Sequence, residues 1–125
     1  MEERIMLNNN LIAKQTEDFA LRIIGLYKYL QNEKHENVIS LQIYRSGTSI
    51  GANIAESKNA QSKADFTNKL NIALKEANET EYWLKLLLRS NTLTEKEYSS
   101  IQNDLNIIIG TLVKIIKKSK ENNKK

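Results

Sequence analysis

The sequence predicts an all-α fold, an antiparallel up-down-up-down four-helix bundle. Three observations lead to it: the 125 residues contain no proline, all four glycines lie inside periodic segments, and apolar residues recur at steps of three and four along most of the chain. A chain of this length fits one domain and buries roughly two thirds of the surface that its unfolded form exposes. We therefore expect the bundle at residues 1–120 and a basic disordered tail at 121–125.

The first helix is predicted at about residues 11–31, followed by a polar break at 32–36. The second is predicted at about 37–59 and contains the most distinctive stretch of the chain, YRSGTSIGANIAES at 44–57. Glycine inside a helix costs about 1 kcal/mol relative to alanine, so something must offset the cost of two glycines here. We expect close packing against another helix along one ridge of small residues, Gly47, Gly51 and Ala55.

The third and fourth helices are predicted at 63–89 and 95–118, and both begin with a capping box. In such a box the side chain of the first residue accepts a hydrogen bond from an amide of the first turn. The side chain of the fourth residue accepts one from the amide of the first residue. The two pairs are Ser62 with Asp65 and Thr94 with Glu97.

The fourth helix is apolar beyond the single stripe that a bundle requires. Its core stripe alternates steps of four and three, as helices packed side by side do. Further apolar residues lie at Ile107, Ile109, Val113 and Ile116. A small bundle should not need two apolar faces on one helix. The spare residues predict a subunit interface; a wider core within one chain is the alternative.

Polar residues of the second and third helices are expected to meet across a hairpin that turns near residue 61. Arg45 then lies level with Glu76 and Glu79, and a guanidinium can bridge such carboxylates. We expect a partly buried ion pair that sets the helix register. The alternative is a binding role for Arg45 toward phosphate or a partner's carboxylate. By the same rule Glu56 lies near Lys69.

Other polar and aromatic residues of these two helices leave alternatives open. Asn53 either hydrogen-bonds across the interface between the helices or is solvated. Tyr82 and Trp83 either stack on a nucleobase or pack in the core or in an interface.

The residue types needed for catalysis are missing from the sequence. His35 is the one histidine, so neither a carboxylate-bridged metal pair nor a histidine base beside Ser46, Thr48 or Ser49 can be assembled. GTSIG lacks the lysine of a phosphate-binding loop. We predict a protein that is not an enzyme and that has no catalytic residue, cofactor or metal; a small-molecule-binding or hydrolytic bundle that uses Glu56, Glu76 and Glu79 is an alternative.

Positive charge is concentrated at the end of the chain. The net charge is +4, whereas residues from Lys114 onward contain six lysines and one glutamate, a local +5, which leaves −1 for the rest. A lysine cluster can contact phosphates or anionic lipid, and the alternative is a solvated helix end. The candidates for nucleic-acid contact are Lys114, Lys117, Lys118 and Lys120.

The sequence carries no sign of export or membrane insertion. The first ten residues, MEERIMLNNN, lack the apolar core of a secretory signal. No apolar run approaches the roughly 20 residues that span a bilayer. Cysteine is absent, which is compatible with a reducing compartment. We predict a cytoplasmic protein that does not enter membranes.

Two motifs together resemble a known family. YRSGTSIGANIAES followed by DFTNKLNIALKEANETEYWL is similar to the four-helix-bundle proteins encoded in 23S rRNA intervening sequences, over roughly residues 19–120. More distant relatives are the accessory variability determinants of diversity-generating retroelements. The matching positions are Arg45, Ser46, Ser49, Asn53 and Glu56 on the second helix and Glu76, Glu79, Thr80, Tyr82 and Trp83 on the third.

The resemblance implies that these positions have structural roles and that the protein has no enzymatic activity. It also implies a ring-shaped homo-oligomer, a pentamer, and a partner that is RNA or a nucleic-acid-processing protein. The leading hypothesis is therefore a non-enzymatic scaffold associated with RNA. The alternative is a structural or protein-binding assembly without nucleic-acid contact.

Overall fold

Four helices make up the fold, as a computed structural model of the chain shows; it describes the backbone of residues 2–123 and the side chains of residues 10–121. They are α1 (Glu2–Asn32), α2 (Ile39–Ser57), α3 (Lys63–Arg89) and α4 (Glu95–Asn123). No strand occurs in residues 2–123. The prediction of an all-α, four-helix fold is confirmed.

Two helices are longer than the sequence predicts. α1 begins at Glu2 and not near residue 11, since no proline or glycine interrupts the chain before Gly25. α4 runs to Asn123, so it includes residues 121–123, which the sequence assigns to a disordered tail. Lys120 in its last turn is favourable beside the negative end of the helix dipole. Residues 124 and 125 of the predicted tail lie outside the described residues.

α2 begins later than predicted because Glu36, three residues before it, caps its first turn. The carboxylate of Glu36 accepts hydrogen bonds from the amides of Val38, Ile39 and Ser40, at 3.3, 3.1 and 2.6 Å. These amides have no carbonyl partner within the helix, and the carboxylate satisfies them. The helix therefore begins at Ile39, two residues after the predicted start.

The capping box predicted at α4 is present in full, whereas at α3 Ser62 caps the helix but the carboxylate of Asp65 reaches the amide of Gln61 and not that of Ser62. The amide of Asp65 donates to Ser62 Oγ at 3.0 Å, and Asp65 Oδ2 accepts from the amide of Gln61 at 3.3 Å. At α4 the bonds are reciprocal: Thr94 N donates to Glu97 Oε1 at 2.8 Å, and Glu97 N donates to Thr94 Oγ1 at 3.1 Å. The sequence therefore predicts the starts of α3 and α4 from local chemistry alone.

The helices form a four-sided arrangement around one core. Contacts join α1 to α2, α2 to α3, α3 to α4, and α4 back to α1, and the α1/α4 side is the most loosely packed of the four. Within the described residues, neither diagonal pair is in contact. Each helix supplies fully buried aliphatic side chains to the centre, among them Ile23, Ile50, Leu84 and Leu105.

The ridge of small residues on α2 packs closely against α1. A Cβ added to Gly47 would lie 2.7 Å from Cγ1 of Ile23, and one added to Gly51 would lie 3.2 Å from the carbonyl oxygen of Thr16. No larger residue fits at Gly47 without displacing a buried isoleucine. The predicted close helix contact is confirmed for the two glycines, whereas Ala55 is exposed.

The spare apolar residues of α4 do not form one face. Ile116 is buried and Ile109 packs partly buried against the core, whereas Ile107 and Val113 are 56% and 49% exposed. Six residues separate Ile107 from Val113, which places them about 120° apart around the helix. The alternative of a wider core therefore holds for Ile109 and Ile116. Ile107 and Val113 remain exposed on different sides of α4.

Candidate functional site

The two sequence motifs meet at the α2/α3 contact. A buried hydrogen bond joins Thr80 Oγ1 to Ser46 Oγ at 2.9 Å, with Thr80 and Ser46 0% and 1% exposed. Thr80 Oγ1 also bonds the carbonyl oxygen of Glu76, at 2.8 Å. These two motif residues therefore hold α2 and α3 together inside the protein.

The predicted ion pair of Arg45 with Glu76 or Glu79 does not form. Arg45 is exposed, and no carboxylate of the described residues lies within 4 Å of its guanidinium. The observed register, set by Ser46 opposite Thr80, puts Arg45 level with Glu81. Glu81 turns toward α4, where its Oε1 accepts from Gln102 Nε2 at 2.9 Å. The prediction was wrong because the hairpin register differs by two to three residues from the one assumed.

A second predicted pair across these helices is present. Lys69 Nζ lies 3.4 Å from Glu56 Oε2, so the placement of Glu56 near Lys69 is confirmed. The Glu56 side chain is 63% exposed, and a pair in that setting contributes at most about 1 kcal/mol. This contact marks the register of α2 on α3 more than it stabilises the fold.

The side chains of Asn53 and Ser49 form their hydrogen bonds within α2. Asn53 Nδ2 donates to the carbonyl oxygen of Ser49 at 2.9 Å, and Ser49 Oγ donates to that of Arg45 at 2.6 Å. Of the two alternatives for Asn53, the bond across to α3 is not observed. Neither side chain contributes to the contact with α3 through a hydrogen bond.

Glu76, Glu79 and the two aromatic residues lie along the outer part of α3. Trp83 packs partly buried against the core, and its Nε1 donates to Glu79 Oε1 at 3.3 Å. Tyr82 is 55% exposed and its ring meets that of Trp83 edge-on. Partial burial, then the nearby charge of Glu79, raise the pKa of Glu76 above its ordinary value. Packing thus accounts for Trp83, and Tyr82 projects into solvent.

The outer surface of this helix pair is here called the α2/α3 face. On α3 it follows a stripe spaced by four and three residues, and on α2 it follows the polar row of the first motif. That spacing is the one by which helices pack side by side, yet this stripe lies beside the buried stripe of α3, with Trp83 partly buried and Glu79 exposed. The face consists of Arg45, Ser49 and Glu56 on α2, with Ile72, Glu76, Glu79, Trp83 and Leu86 on α3.

The chemistry of the described residues offers no metal site. No group of three or more histidine, cysteine, aspartate or glutamate side chains is close enough to hold an ion in this part of the chain. His35 is exposed in the turn between α1 and α2 with a φ of 55°. The predicted loop position of His35 is confirmed.

Lysines of the α2–α3 turn, of α3 and of α4 lie at one end of the molecule. The hydrogen bond between Thr67 and Ser119 brings the C-terminal part of α4 to the start of α3. An open cavity of about 600 Å³ lies at the α2–α3 turn, with Lys58 and Lys63 at its rim and apolar residues such as Phe66 in its wall. We call this the lysine-rich end; it consists of Lys58, Lys63, Lys114, Lys117, Lys118 and Lys120.

Lys58 and Lys63 were missed as candidates from the sequence. Both lie more than fifty residues before the C-terminal lysines and sit among neutral and acidic neighbours such as Asp65. Only the packing of α3 against α4 brings them to the same end. The predicted topology could have indicated these two lysines, since the α2–α3 turn and the end of α4 lie at the same end of an antiparallel bundle.

No helix of residues 2–123 is both long enough and apolar enough to cross a membrane.

A family model described as 23S rRNA-intervening sequence protein matches residues 8–114. The chain belongs to the 23S rRNA-intervening sequence protein family. This confirms the resemblance that the two motifs indicated. Lys117, Lys118 and Lys120 lie beyond the matched residues, whereas the whole α2/α3 face lies within them.

A solved structure agrees with this family assignment. The chain is similar to a crystal structure of a protein with unknown function from the S23 ribosomal protein family of Bacteroides thetaiotaomicron. The two are 58% identical, with 88% of this chain and 98% of that chain covered, and the TM-score is 0.87. A search of curated proteins found no match.

Proposed function

We propose that this member of the 23S rRNA-intervening sequence protein family is a non-enzymatic, cytoplasmic scaffold that binds structured RNA with its lysine-rich end. The observation that supports it is that Lys58 and Lys63 line a cavity at the end of the bundle to which the Thr67–Ser119 hydrogen bond brings the lysine-rich C-terminal part of α4. Lysines that contact phosphates release condensed counterions, which favours binding at low salt. The rest of the chain is close to neutral, so the contact is confined to this end.

The proposed architecture is an up-down-up-down bundle, and contacts between neighbouring helices support it. Along α2 from Ser46 to Glu56, the partners on α3 run backward from Thr80 to Lys69. A similar reversal links α3 and α4, where Gln102 meets Glu81 and Ser119 meets Thr67. Short turns between long helices favour the same arrangement.

The proposed assembly is a ring-shaped homo-oligomer, a pentamer. Exposed apolar residues on the surface of one chain support self-association: Leu21 is 63% exposed and Ile107 is 56% exposed. Light scattering should give about 72 kDa, five times the 14.4 kDa of one chain. A mass of 14.4 kDa at micromolar concentration would contradict the assembly.

The RNA proposal is tested by a mobility shift with structured ribosomal RNA at increasing salt. We expect a shift at low salt that is lost when Lys114, Lys117, Lys118 and Lys120 are changed to Gln. The slope of log K against log salt should fall by about 0.7 to 0.9 for each phosphate contact removed. The matched control removes four exposed lysines elsewhere, at Lys28, Lys75, Lys85 and Lys96. Equal loss in both variants would show only an effect of net charge.

A second candidate function is an assembly that binds proteins and has no contact with nucleic acid. The exposed apolar side chains of Leu21, Ile107 and Val113 favour it, because side chains of this kind on a small protein suit protein contacts. It predicts a purified oligomer with a low ratio of absorbance at 260 to 280 nm and no RNA shift even at low salt.

A further inference from the structure

The cavity at the lysine-rich end has an apolar floor that belongs to the core. Ile12 of α1, Ile54 of α2 and Leu70 of α3 line it, and each is at most 2% exposed. Phe66 lines it too and packs partly buried against the same core. The volume of about 600 Å³ lies in the range of about 300–1,000 Å³ in which proteins bind small molecules. The cavity is therefore large enough for a group of the size of a nucleoside.

The charged groups at this cavity are cationic. Lys58, the C-cap of α2, and Lys63, the first residue of α3, are both exposed. Of the described carboxylates, none lies within 4 Å of either ammonium group. The described residues that line the cavity include no aspartate or glutamate. The cavity therefore suits a ligand that joins an apolar or aromatic group to negative charge.

Two neutral polar side chains of the lining can bond the edge of such a group. Ser57 is 5% exposed, and its Oγ donates to the carbonyl oxygen of Ile54 at 2.6 Å. The same oxygen keeps lone pairs that can accept a hydrogen bond from a ligand N–H. Asn10 is exposed at the rim, and its amide can both donate and accept. These groups match the donors and acceptors at the edge of a nucleobase.

Building on the RNA binding of the proposed function, we propose that this cavity takes one unpaired base of the RNA while Lys58 and Lys63 contact the phosphates beside it. Phe66 stacks on the base, a contact that every base can make because every base has a π-face. Lys63 lies three residues before Phe66 on α3, so the ammonium group and the ring lie on the same side of the helix.

This site selects RNA by its structure more than by its sequence. A paired base must leave its partner and its stack before it can enter a protein cavity, whereas an unpaired base gives up less. Proteins that read RNA bases accordingly contact loops, bulges and ends, where bases can turn outward. The protein therefore prefers a stem that contains a bulge to a continuous duplex.

The test compares three RNA hairpins that share one stem. The first has a single unpaired adenosine in the stem, the second has an abasic nucleotide at that position, and the third is fully paired. Mobility shifts at one low salt concentration measure the affinity of the full chain for each. We expect the wild type to bind the first hairpin about 5- to 100-fold more tightly than the other two, the size of one stacking contact between a base and an aromatic ring.

Two variants locate the base in the cavity. Ala60→Leu adds bulk to the lining, and Phe66→Leu removes the aromatic ring but keeps an apolar side chain. Both should lose the preference for the unpaired adenosine and keep the wild-type affinity for the fully paired hairpin, because the lysines are unchanged. Tyr98→Leu is the matched control, since Tyr98 is also partly buried against the core but lies at the start of α4, far from this end. It should keep the preference, and urea unfolding checks that every variant is folded.

The outcomes separate this site from RNA binding as such. Equal affinity of the wild type for the unpaired adenosine and the abasic hairpin would overturn the base site, while RNA binding by the lysine-rich end stands. A preference that persists in Ala60→Leu would place the base elsewhere and would overturn it too. Absence of binding to all three hairpins at low salt would overturn the proposed function itself.

Discussion

The hydroxyl oxygens of Ser46 and Thr80 lie 2.9 Å apart in the interior between α2 and α3. Both side chains are almost fully buried, at 1% and 0% exposure, and they belong to the two different motifs of the sequence. A buried polar group without a partner costs about 1–3 kcal/mol. Ser46 Oγ depends on Thr80 for its partner, whereas Thr80 Oγ1 also bonds the carbonyl oxygen of Glu76. The pair thus specifies how the two motif helices fit together.

Thr80→Val should lower the free energy of unfolding by about 1–3 kcal/mol, because it leaves the hydroxyl of Ser46 buried without its partner. Urea denaturation followed by Trp83 fluorescence measures the change. Adding Ser46→Ala should recover part of the loss, since the orphaned hydroxyl is then gone. Thr48→Val is the matched control: Thr48 is half-exposed and bonds a carbonyl of its own helix, so little change is expected. Equal losses at the two threonines would contradict a special role for Thr80.

Gly47→Ala should destabilise the protein although alanine favours helices. Its Cβ would lie 2.7 Å from Cγ1 of the buried, β-branched Ile23, and overpacking of this kind costs about 1–3 kcal/mol. That exceeds the gain of about 1 kcal/mol in helix propensity.

The matched control for Gly47→Ala is Gly110→Ala, where nothing lies within 4 Å of the added Cβ. It should raise stability by up to about 1 kcal/mol. Both are measured in urea at chain concentrations low enough to keep the protein monomeric. A stabilising Gly47→Ala would contradict the close contact of α1 and α2.

Glu76→Gln should stabilise the protein at pH 7. Burial and the charge of Glu79 raise the pKa of Glu76 above its ordinary value, so the folded state binds this proton more tightly than the unfolded state. The stabilising contribution is therefore complete below the unfolded pKa and is lost as pH rises through the folded pKa. Glutamine removes the charge and with it this pH dependence.

The measurement is the urea midpoint of wild type and Glu76→Gln from pH 3.5 to 7. The difference between them should grow with pH above the ordinary pKa of a glutamate, about 4.3. Glu56→Gln serves as control, because the exposed Glu56 instead faces the cation of Lys69. If Glu76→Gln destabilises at neutral pH, the attraction of the Glu76 carboxylate to Lys75 outweighs its burial and its repulsion by Glu79.

Lys58→Gln combined with Lys63→Gln should weaken RNA binding, because these lysines lie at the same end as those of α4. We expect a loss comparable, per lysine, with that caused by changes at Lys114 and Lys117. The salt slope should fall by about 0.7 to 0.9 for each phosphate contact removed. Mobility shifts with the control pair Lys75→Gln and Lys85→Gln should stay near wild type. If the variant with Lys58→Gln and Lys63→Gln binds RNA as the wild type does, the RNA contact involves the lysines of α4 alone.

Much of the fold follows from neighbours close in the chain. The caps at Ser62 and Thr94 depend on residues three positions apart, and the spacing of Gly47 and Gly51 along one ridge of small residues predicts a close helix contact. The start of α1 and the end of α4 were harder to predict, because nothing in the sequence stops either helix. Helices without proline or glycine at their ends continue as long as backbone bonds form.

The candidate surfaces were only partly predictable. Glu56 was placed beside Lys69, but Arg45 was assigned to carboxylates that it does not reach. A shift of two to three residues in register moves a side chain by 3–5 Å along a helix, at 1.5 Å per residue, which is enough to break an ion pair. Register depends on how side chains interlock between helices, and the turn length estimates it only coarsely.

The sequence by itself determined four helices, the caps of α3 and α4, the close packing of the α2 glycines and the family, because these depend on periodicity, local hydrogen bonds and two specific motifs. Only the tertiary structure decided that Gly47 packs against α1 and that Ser46 hydrogen-bonds Thr80. It also decided that Lys58 and Lys63 lie at the same end as the lysines of α4. It also separated the buried Ile116 from the exposed Ile107. Such relationships depend on the rotation and register of whole helices, which are set by the packing of the complete core.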